Sequence, residues 1–166
     1  MHEFLQQLQD TAFAKFIHES ESIWAFPFVL TVHTMGLCLI VGPIAVVSMR
    51  LMGLASNMPF KPLRKLVPFV WLGLVLAVIS GTALAVASAT TRVLNPIVLV
   101  KLVVIIVATP ITLRVQKRIL SDPAIEEGHL PANARMLAAS QLFLWVMVLT
   151  LGRLIAYSAT IFGEGY

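Results

Sequence analysis

Charged residues are scarce in this chain of 166 residues. They make up 12% of the sequence, whereas hydrophobic residues make up 58%. A soluble domain averages about 25% charged residues, so the composition excludes an ordinary soluble domain and indicates a membrane protein. The net charge of +4 does not indicate nucleic-acid binding, because the basic residues are concentrated in two loops, where membrane topology accounts for them.

Cysteine is almost absent from this chain, and carboxylates are wholly absent from its long apolar runs. The single cysteine, Cys38, excludes an intrachain disulfide and a paired-thiol motif, and we interpret it as a packing residue. The long apolar runs contain no Asp or Glu. Their absence excludes a carboxylate dyad and a zincin-like motif in these runs, so we expect no independent catalytic activity.

The chain does contain four long apolar runs, at about residues 23–49, 67–89, 93–113 and 137–161. Each reaches the ~20 residues that a helix needs to cross a bilayer, and short connections favour antiparallel packing of consecutive helices. Residues 1–20 carry apolar side chains at helical spacing and predict an amphipathic helix in the membrane interface. The sequence therefore predicts an all-α fold, a single integral-membrane domain over residues 1–166 built as a four-helix antiparallel bundle.

The basic residues assign a side to each loop. Four lie between the first and second runs and four between the third and fourth runs, namely Arg50, Lys61, Arg64, Lys65, Arg114, Lys117, Arg118 and Arg135. The positive-inside rule places such loops in the cytoplasm. We therefore expect a multi-pass protein of the cell inner (cytoplasmic) membrane with both termini on the outer, periplasmic side.

Polar side chains inside the runs predict a functional site in the outer half of the membrane. With a rise of 1.5 Å per residue, His33 lies roughly 15 Å from the outer end of its run, and Lys101 and Arg153 each lie roughly 12 Å from theirs. Tyr157 is one turn above Arg153, and Thr150 is about one turn below it. A cation at such a depth costs at least about 2.5 kcal/mol, so its presence indicates a function.

The second run adds a ridge of small residues at every fourth position, Gly73, Ala77, Gly81, Ala85 and Ala89. Such a ridge permits close approach of a neighbouring helix. It equally leaves room at Gly81 for a flat ring to lie against the helix.

Each polar residue also has a purely structural interpretation. Lys101 and Arg153 can extend to the headgroups while their aliphatic stems stay in lipid. His33 can form a hydrogen bond with Thr31, Thr34 or a backbone carbonyl of a neighbouring helix.

Taken jointly, these residues predict a cofactor site. A neutral imidazole is a good axial ligand for haem iron, so His33 is the predicted metal ligand of a b-type haem whose propionates meet Lys101 and Arg153. The same arrangement suits a quinone head group, with His33 or Tyr157 as the hydrogen-bond donor. The predicted cofactor-binding residues are His33, Lys101, Arg153, Tyr157, Gly81 and Thr150.

The metal hypotheses each have a weak point in the sequence. No second histidine lies in the runs, so haem iron would be five-coordinate or would take its second ligand from His18 or another subunit. His33, Met35 and Cys38 are soft or borderline ligands for copper, but they are strung along one helix.

Short motifs on three of the runs stand out: Phe26-Pro27, His33-Thr34-Met35-Gly36, Arg50-Leu51-Met52-Gly53, Asn95-Pro96 with Lys101, and Gly152-Arg153-Leu154-Ile155-Ala156-Tyr157. They resemble the motifs of a family of small bacterial four-helix integral membrane proteins of unknown function, whose architecture is similar to that of cytochrome-b-like bundles. The resemblance implies the four-span fold and the importance of His33, Lys101, Arg153 and Tyr157, but no activity. Leu30 and Ser48 stand where that family usually has Glu and Asp.

The sequence thus predicts an electron-transfer subunit that binds haem b or a quinone in the outer half of the bilayer. Its expected partners are the lipid bilayer and further copies of itself or other membrane or periplasmic redox subunits, and no nucleic acid. Two other classes stay open. One is a non-redox anchor or assembly subunit whose Arg153 meets a partner carboxylate, and the other is a transporter of a small anion or metal ion.

Overall fold

The computed structural model describes residues 11, 26–87, 95–120, 122, 125 and 130–157. Its helices are α1 (Phe26–Met52), α2 (Phe60–Arg64), α3 (Val67–Ala87), α4 (Pro96–Arg114), a π-helix (Val115–Leu120), α5 (Ala134–Leu154) and a 3-10 turn (Ile155–Tyr157). The predicted interfacial helix at residues 1–20 and the alternative ligand His18 lie outside the described residues, apart from Thr11.

Four of these helical segments are long and apolar enough to cross a membrane: Phe26–Met52, Phe60–Ala87, Pro96–Lys117 and Ala134–Leu154. The prediction of an all-α fold with four spanning helices is therefore confirmed, and the chain is a multi-pass membrane protein. The outer surface agrees, because large apolar side chains such as Ile79, Ile106 and Phe143 are 65%, 71% and 68% exposed. Lipid tails are the solvent in which such a surface is stable.

The helix ends lie a few residues from their predicted positions, for local reasons. The helix α1 continues to Met52 and ends where Gly53 adopts a φ of +91°. The Gly53 and Leu54 amides bond to the carbonyls of Arg50 and Met49 at 3.2 and 3.0 Å, which is the Schellman pattern of helix termination.

The pair Asn95-Pro96 begins α4. The Asn95 side chain accepts a hydrogen bond from the Ile97 amide at 2.9 Å, and Pro96 occupies the first turn, where a proline lacks only a donor that has no intrahelical partner. We expect Asn95→Ala to lower the free energy of unfolding by about 1 kcal/mol, the usual cost of a lost N-terminal cap. Unfolding by SDS in mixed micelles measures this. Asn95→Asp, which retains the acceptor, should remain within a few tenths of wild type, and equal losses for both variants would contradict the capping role.

The small-residue ridge of α3 packs against α1. A Cβ atom added at Gly73 would lie 2.6 Å from the Gly36 carbonyl oxygen, and one added at Gly36 would lie 3.0 Å from both the Ala77 amide nitrogen and the Gly73 carbonyl oxygen. The two backbones are therefore in direct contact at Gly36 and Gly73. The packing interpretation of this part of the ridge is confirmed.

The order of the helices around the bundle differs from the prediction. The packed pairs are α1 with α3, α1 with α5, and α4 with α5, whereas the consecutive helices α3 and α4 have at most marginal contact. The expectation that all consecutive helices are neighbours is therefore wrong for α3 and α4. The arrangement is an arc in the order α3, α1, α5, α4, whose two end helices approach each other less closely than the packed pairs do.

The buried core lies inside this arc. A central apolar cluster draws on all four long helices: Ile40, Ile44, Val70, Val104, Ala108, Trp145 and Val148. Buried polar side chains join the helices toward the end of the bundle that carries Met52. Gln141 donates to Ser48 at 2.9 Å, Trp145 donates to Thr112 at 2.9 Å, and Trp71 donates to Gln116 at 3.0 Å. Cys38 takes no part in the core, since it is exposed, and its interpretation as a packing residue is wrong.

Candidate functional site

His33 lies on the buried face of α1, in line with Gly36, Ile40 and Ile44. Its imidazole is half-buried and rests against α3. The Nδ1 atom is 3.0 Å from the Ser80 hydroxyl oxygen, and a Cβ atom added at Gly81 would lie 3.1 Å from Cε1 of the ring. The ring that lies against Gly81 is therefore the imidazole of His33 itself.

The hydrogen bonds of Ser80 define which nitrogen of His33 carries the proton. The Ser80 hydroxyl donates to the Leu76 carbonyl of its own helix, and a hydroxyl has only one proton to give. Ser80 therefore accepts from Nδ1–H of His33. In the neutral imidazole the lone pair is then on Nε2, which is free to accept a hydrogen bond or to coordinate a metal.

Lys101 lies on the packed face of α4, on the same side as Ile97, Val104 and Ala108. Its side chain crosses toward α5, where a Cβ atom added at Gly152 would lie 3.2 Å from Nζ. The ammonium is near enough to His33 for their charges to interact. Lys101 thus points into the bundle, and its stem does not run along the exposed surface as the structural interpretation required.

The ammonium of Lys101 has no carboxylate to pair with in the spanning helices, because their sequences contain neither Asp nor Glu. An unpaired charge in a membrane interior is costly, so an acceptor from outside these helices, such as water or a ligand, is expected beside it. A basic imidazole nitrogen on α1 and an ammonium on α4 therefore both lie on packed faces of the bundle, in surroundings suited to an oxygen-rich or anionic group.

Arg153, Tyr157 and Thr150 are not brought to this site. Arg153 and Thr150 are exposed, Tyr157 is 53% exposed, and the Thr150 hydroxyl donates to the Val146 carbonyl of its own helix at 3.0 Å. Gly152 is the residue of α5 that faces Lys101, and the next position is about 100° farther around the helix. The structure therefore places Gly152, and not Arg153, on the side of α5 that faces Lys101, because depth along a helix does not determine direction around it.

Sequence reasoning missed Ser80 and Gly152. Ser80 shares the buried face of α3 with Gly73 and Leu84, so a serine on a small-residue ridge was the available signal. Gly152 precedes Arg153, and its lack of a side chain gives Lys101 its space. Only the pairing of α4 with α5 reveals that role.

Haem fits these residues poorly. His33 is the one histidine among the described residues, and no group of three metal-binding side chains occurs among them. One of the two cations predicted for the propionates, Arg153, is directed elsewhere. The face of the ridge at Gly81 is already covered by the imidazole ring. Among the described residues, histidine therefore offers a single axial ligand.

Comparisons of the sequence with protein-family models and with curated proteins, and of the structure with solved structures, found no match.

Proposed function

We propose that this chain is an integral-membrane subunit for electron transfer that binds the head group of a quinone between His33 and Lys101. The observation that carries the proposal is the inward-facing pair of an imidazole and an ammonium, enclosed by spanning helices that contain no carboxylate. A quinone or quinol is uncharged and lipid-soluble, its ring oxygens can accept from Lys101, and a quinol hydroxyl can donate to His33.

The hydrogen-bonding capacity of the pair favours the reduced head group. Lys101 has only donors, so it donates to a ring oxygen, whereas His33 Nε2 has only a lone pair and accepts from a hydroxyl. Ser80 holds the Nδ1–H in place and so keeps Nε2 available. His33 can thereby take one of the two protons that a quinol releases on oxidation to the quinone, the second passes to water on the outer side, and the two electrons pass to a membrane or periplasmic redox partner.

The wider gap between α3 and α4 offers a route of entry. Their backbones approach each other less closely than those of the packed pairs, although Val70 and Val104 share the apolar core and Trp71 bonds Gln116 near one end. A head group can enter between α3 and α4 from the bilayer while its apolar tail stays in lipid. The basic loops favour an inner-membrane protein with both termini outside, which puts the site in the outer half.

The test measures binding of a short-tailed quinol to the purified protein in lipid nanodiscs, with quenching of tryptophan fluorescence as the readout. We expect His33→Phe to weaken binding by about 3- to 10-fold, because a neutral hydrogen bond contributes about 0.5–1.5 kcal/mol. Thr34→Val is the matched control, since Thr34 is exposed on the same helix and bonds only its own helix at Leu30. It should bind as wild type does.

Two outcomes would contradict the proposal. One is equal affinity in wild type and His33→Phe, with Ser80→Ala also unchanged. The other is a Soret band that appears in the purified protein or on addition of haem and disappears in His33→Phe, which would establish the haem alternative.

A second candidate function is that of an anchor or assembly subunit, and Arg153 favours it. Its charge lies on the exposed side of α5, where a carboxylate of a partner helix could pair with it. Loss of a co-purifying membrane protein in Arg153→Gln, with quinol binding unchanged, is the expected result for that function.

A further inference from the structure

Gln141 is a buried amide with one half unsatisfied. Its side chain is 1% exposed, and its Nε2 group donates to the Ser48 hydroxyl at 2.9 Å. Its carbonyl oxygen Oε1 is buried and has no hydrogen-bond partner among the described residues. Buried polar atoms in native proteins are almost always satisfied by protein or by ordered water, so this oxygen points to a bound group.

A small cavity lies at the same place. Its volume is about 10 Å³, and Gln141 from α5 contributes to its wall together with Thr112 from α4, Val47 from α1 and Val70 from α3. A volume of about one water-sized probe is the least that holds a water molecule. The cavity is thus large enough for one water and too small for an organic ligand.

Thr112 supplies a second acceptor in the cavity wall. Its hydroxyl donates to the Ala108 carbonyl at 3.0 Å and accepts from the indole N–H of Trp145 at 2.9 Å. A hydroxyl oxygen has two lone pairs, so one of them stays free.

Gln116 also lines the cavity, and its Oε1 accepts from the Trp71 indole. The two acceptors of the wall with a lone pair left to offer are therefore Gln141 Oε1 and Thr112 Oγ1, and a ligand that satisfies both must bring two donors.

A water molecule meets this requirement and a metal cation does not. Water has two protons to donate, one for each acceptor. A cation would need more oxygen ligands to replace its hydration shell. The spanning helices also contain no carboxylate, so the charge of a buried cation would be left without a partner.

We propose that this cavity binds one structural water molecule, which donates to Gln141 Oε1 and Thr112 Oγ1. The water connects α5 to α4, and the same Gln141 amide connects α5 to α1 through Ser48. The site is separated from His33 and Lys101 by the apolar side chains of Ile40, Val104 and Val148 in the core. It is therefore independent of quinol binding.

The test is transfer of magnetisation from water to the side-chain amide of Gln141, measured by solid-state NMR on the glutamine-¹⁵N-labelled protein in liposomes. Gln141→Met identifies the signal by its loss. We expect clear transfer at short mixing times in wild type. Val47→Ile adds a methyl group to the cavity wall and should reduce the transfer at least several-fold. Val104→Ile adds the same group elsewhere in the core and should leave the transfer unchanged.

Two results of this NMR experiment would overturn the proposal. No transfer to Gln141 in wild type means a dry cavity and overturns the proposal. Transfer that is equally strong in Val47→Ile and wild type shows that the water is not in this cavity and overturns it as well. Neither result changes the expectation for quinol binding, which is measured at the other end of the bundle.

Discussion

Gly73→Val is expected to destabilise the protein by about 3 kcal/mol, the upper end of the usual range for overpacking a core. Even the first added carbon would lie 2.6 Å from the Gly36 carbonyl oxygen and 2.9 Å from the Leu39 Cβ atom. Neither neighbour can move aside, since one is helix backbone and the other is a Cβ atom fixed to it. The helices α1 and α3 must separate, and the contact that positions Ser80 against His33 separates with them. Unfolding by SDS in mixed micelles measures the loss.

Gly42→Val is the matched control for this prediction. Gly42 lies on the same helix as Gly36, and a Cβ atom added there meets nothing within 4 Å. The substitution also places a β-branched residue in a helix, so it shares the intrinsic helix-propensity effect of Gly73→Val. We expect its free energy of unfolding to stay within about 0.5 kcal/mol of wild type. Equal losses in the two variants would show that the glycines act through helix propensity and not through the contact of α1 with α3.

The sequence was sufficient for the number of spanning helices and for the contact at Gly73, but it did not determine which helices are neighbours. In a soluble protein an apolar stripe marks the buried face of a helix. In a membrane both the lipid-facing and the buried faces are apolar, so this signal is lost. The exposed Ile79 and the buried Leu84 of α3 are equally hydrophobic, and only contacts between helices distinguish them.

Polar residues provide a partial substitute for that signal. Lys101 was expected to face the interior and does so, and Gln141, Ser48 and Thr112 follow the same rule. Arg153 does not follow it. It lies in the last turn of α5, where a long side chain can reach a polar surface from the outside of a helix. Rules for buried charge therefore predict direction well at mid-helix and poorly near helix ends.

Lys101→Met is expected to act on stability and on binding in opposite directions. Methionine has a similar length and no charge, so the substitution removes the cost of burying an unpaired ammonium, at least about 2.5 kcal/mol in a membrane interior. We expect the ligand-free protein to become more stable by a substantial part of that amount. The same change removes a charged donor worth about 1.5–3 kcal/mol to a bound head group. Quinol binding should therefore weaken by about 10- to 100-fold.

Arg153→Met is the matched control, because it removes a cation at the exposed position next to Gly152. It should change neither quinol affinity nor the free energy of unfolding by more than about 0.5 kcal/mol. Gly152→Ala provides a milder test of Lys101, since the new methyl group would lie 3.2 Å from Nζ and displace the ammonium by a few tenths of an ångström.

Loss of stability in Lys101→Met with unchanged binding would contradict the prediction. It would mean that the ammonium is held by acceptors of the protein and not kept for a ligand. Higher stability with lost binding is what distinguishes a residue retained for a ligand from one retained for the fold.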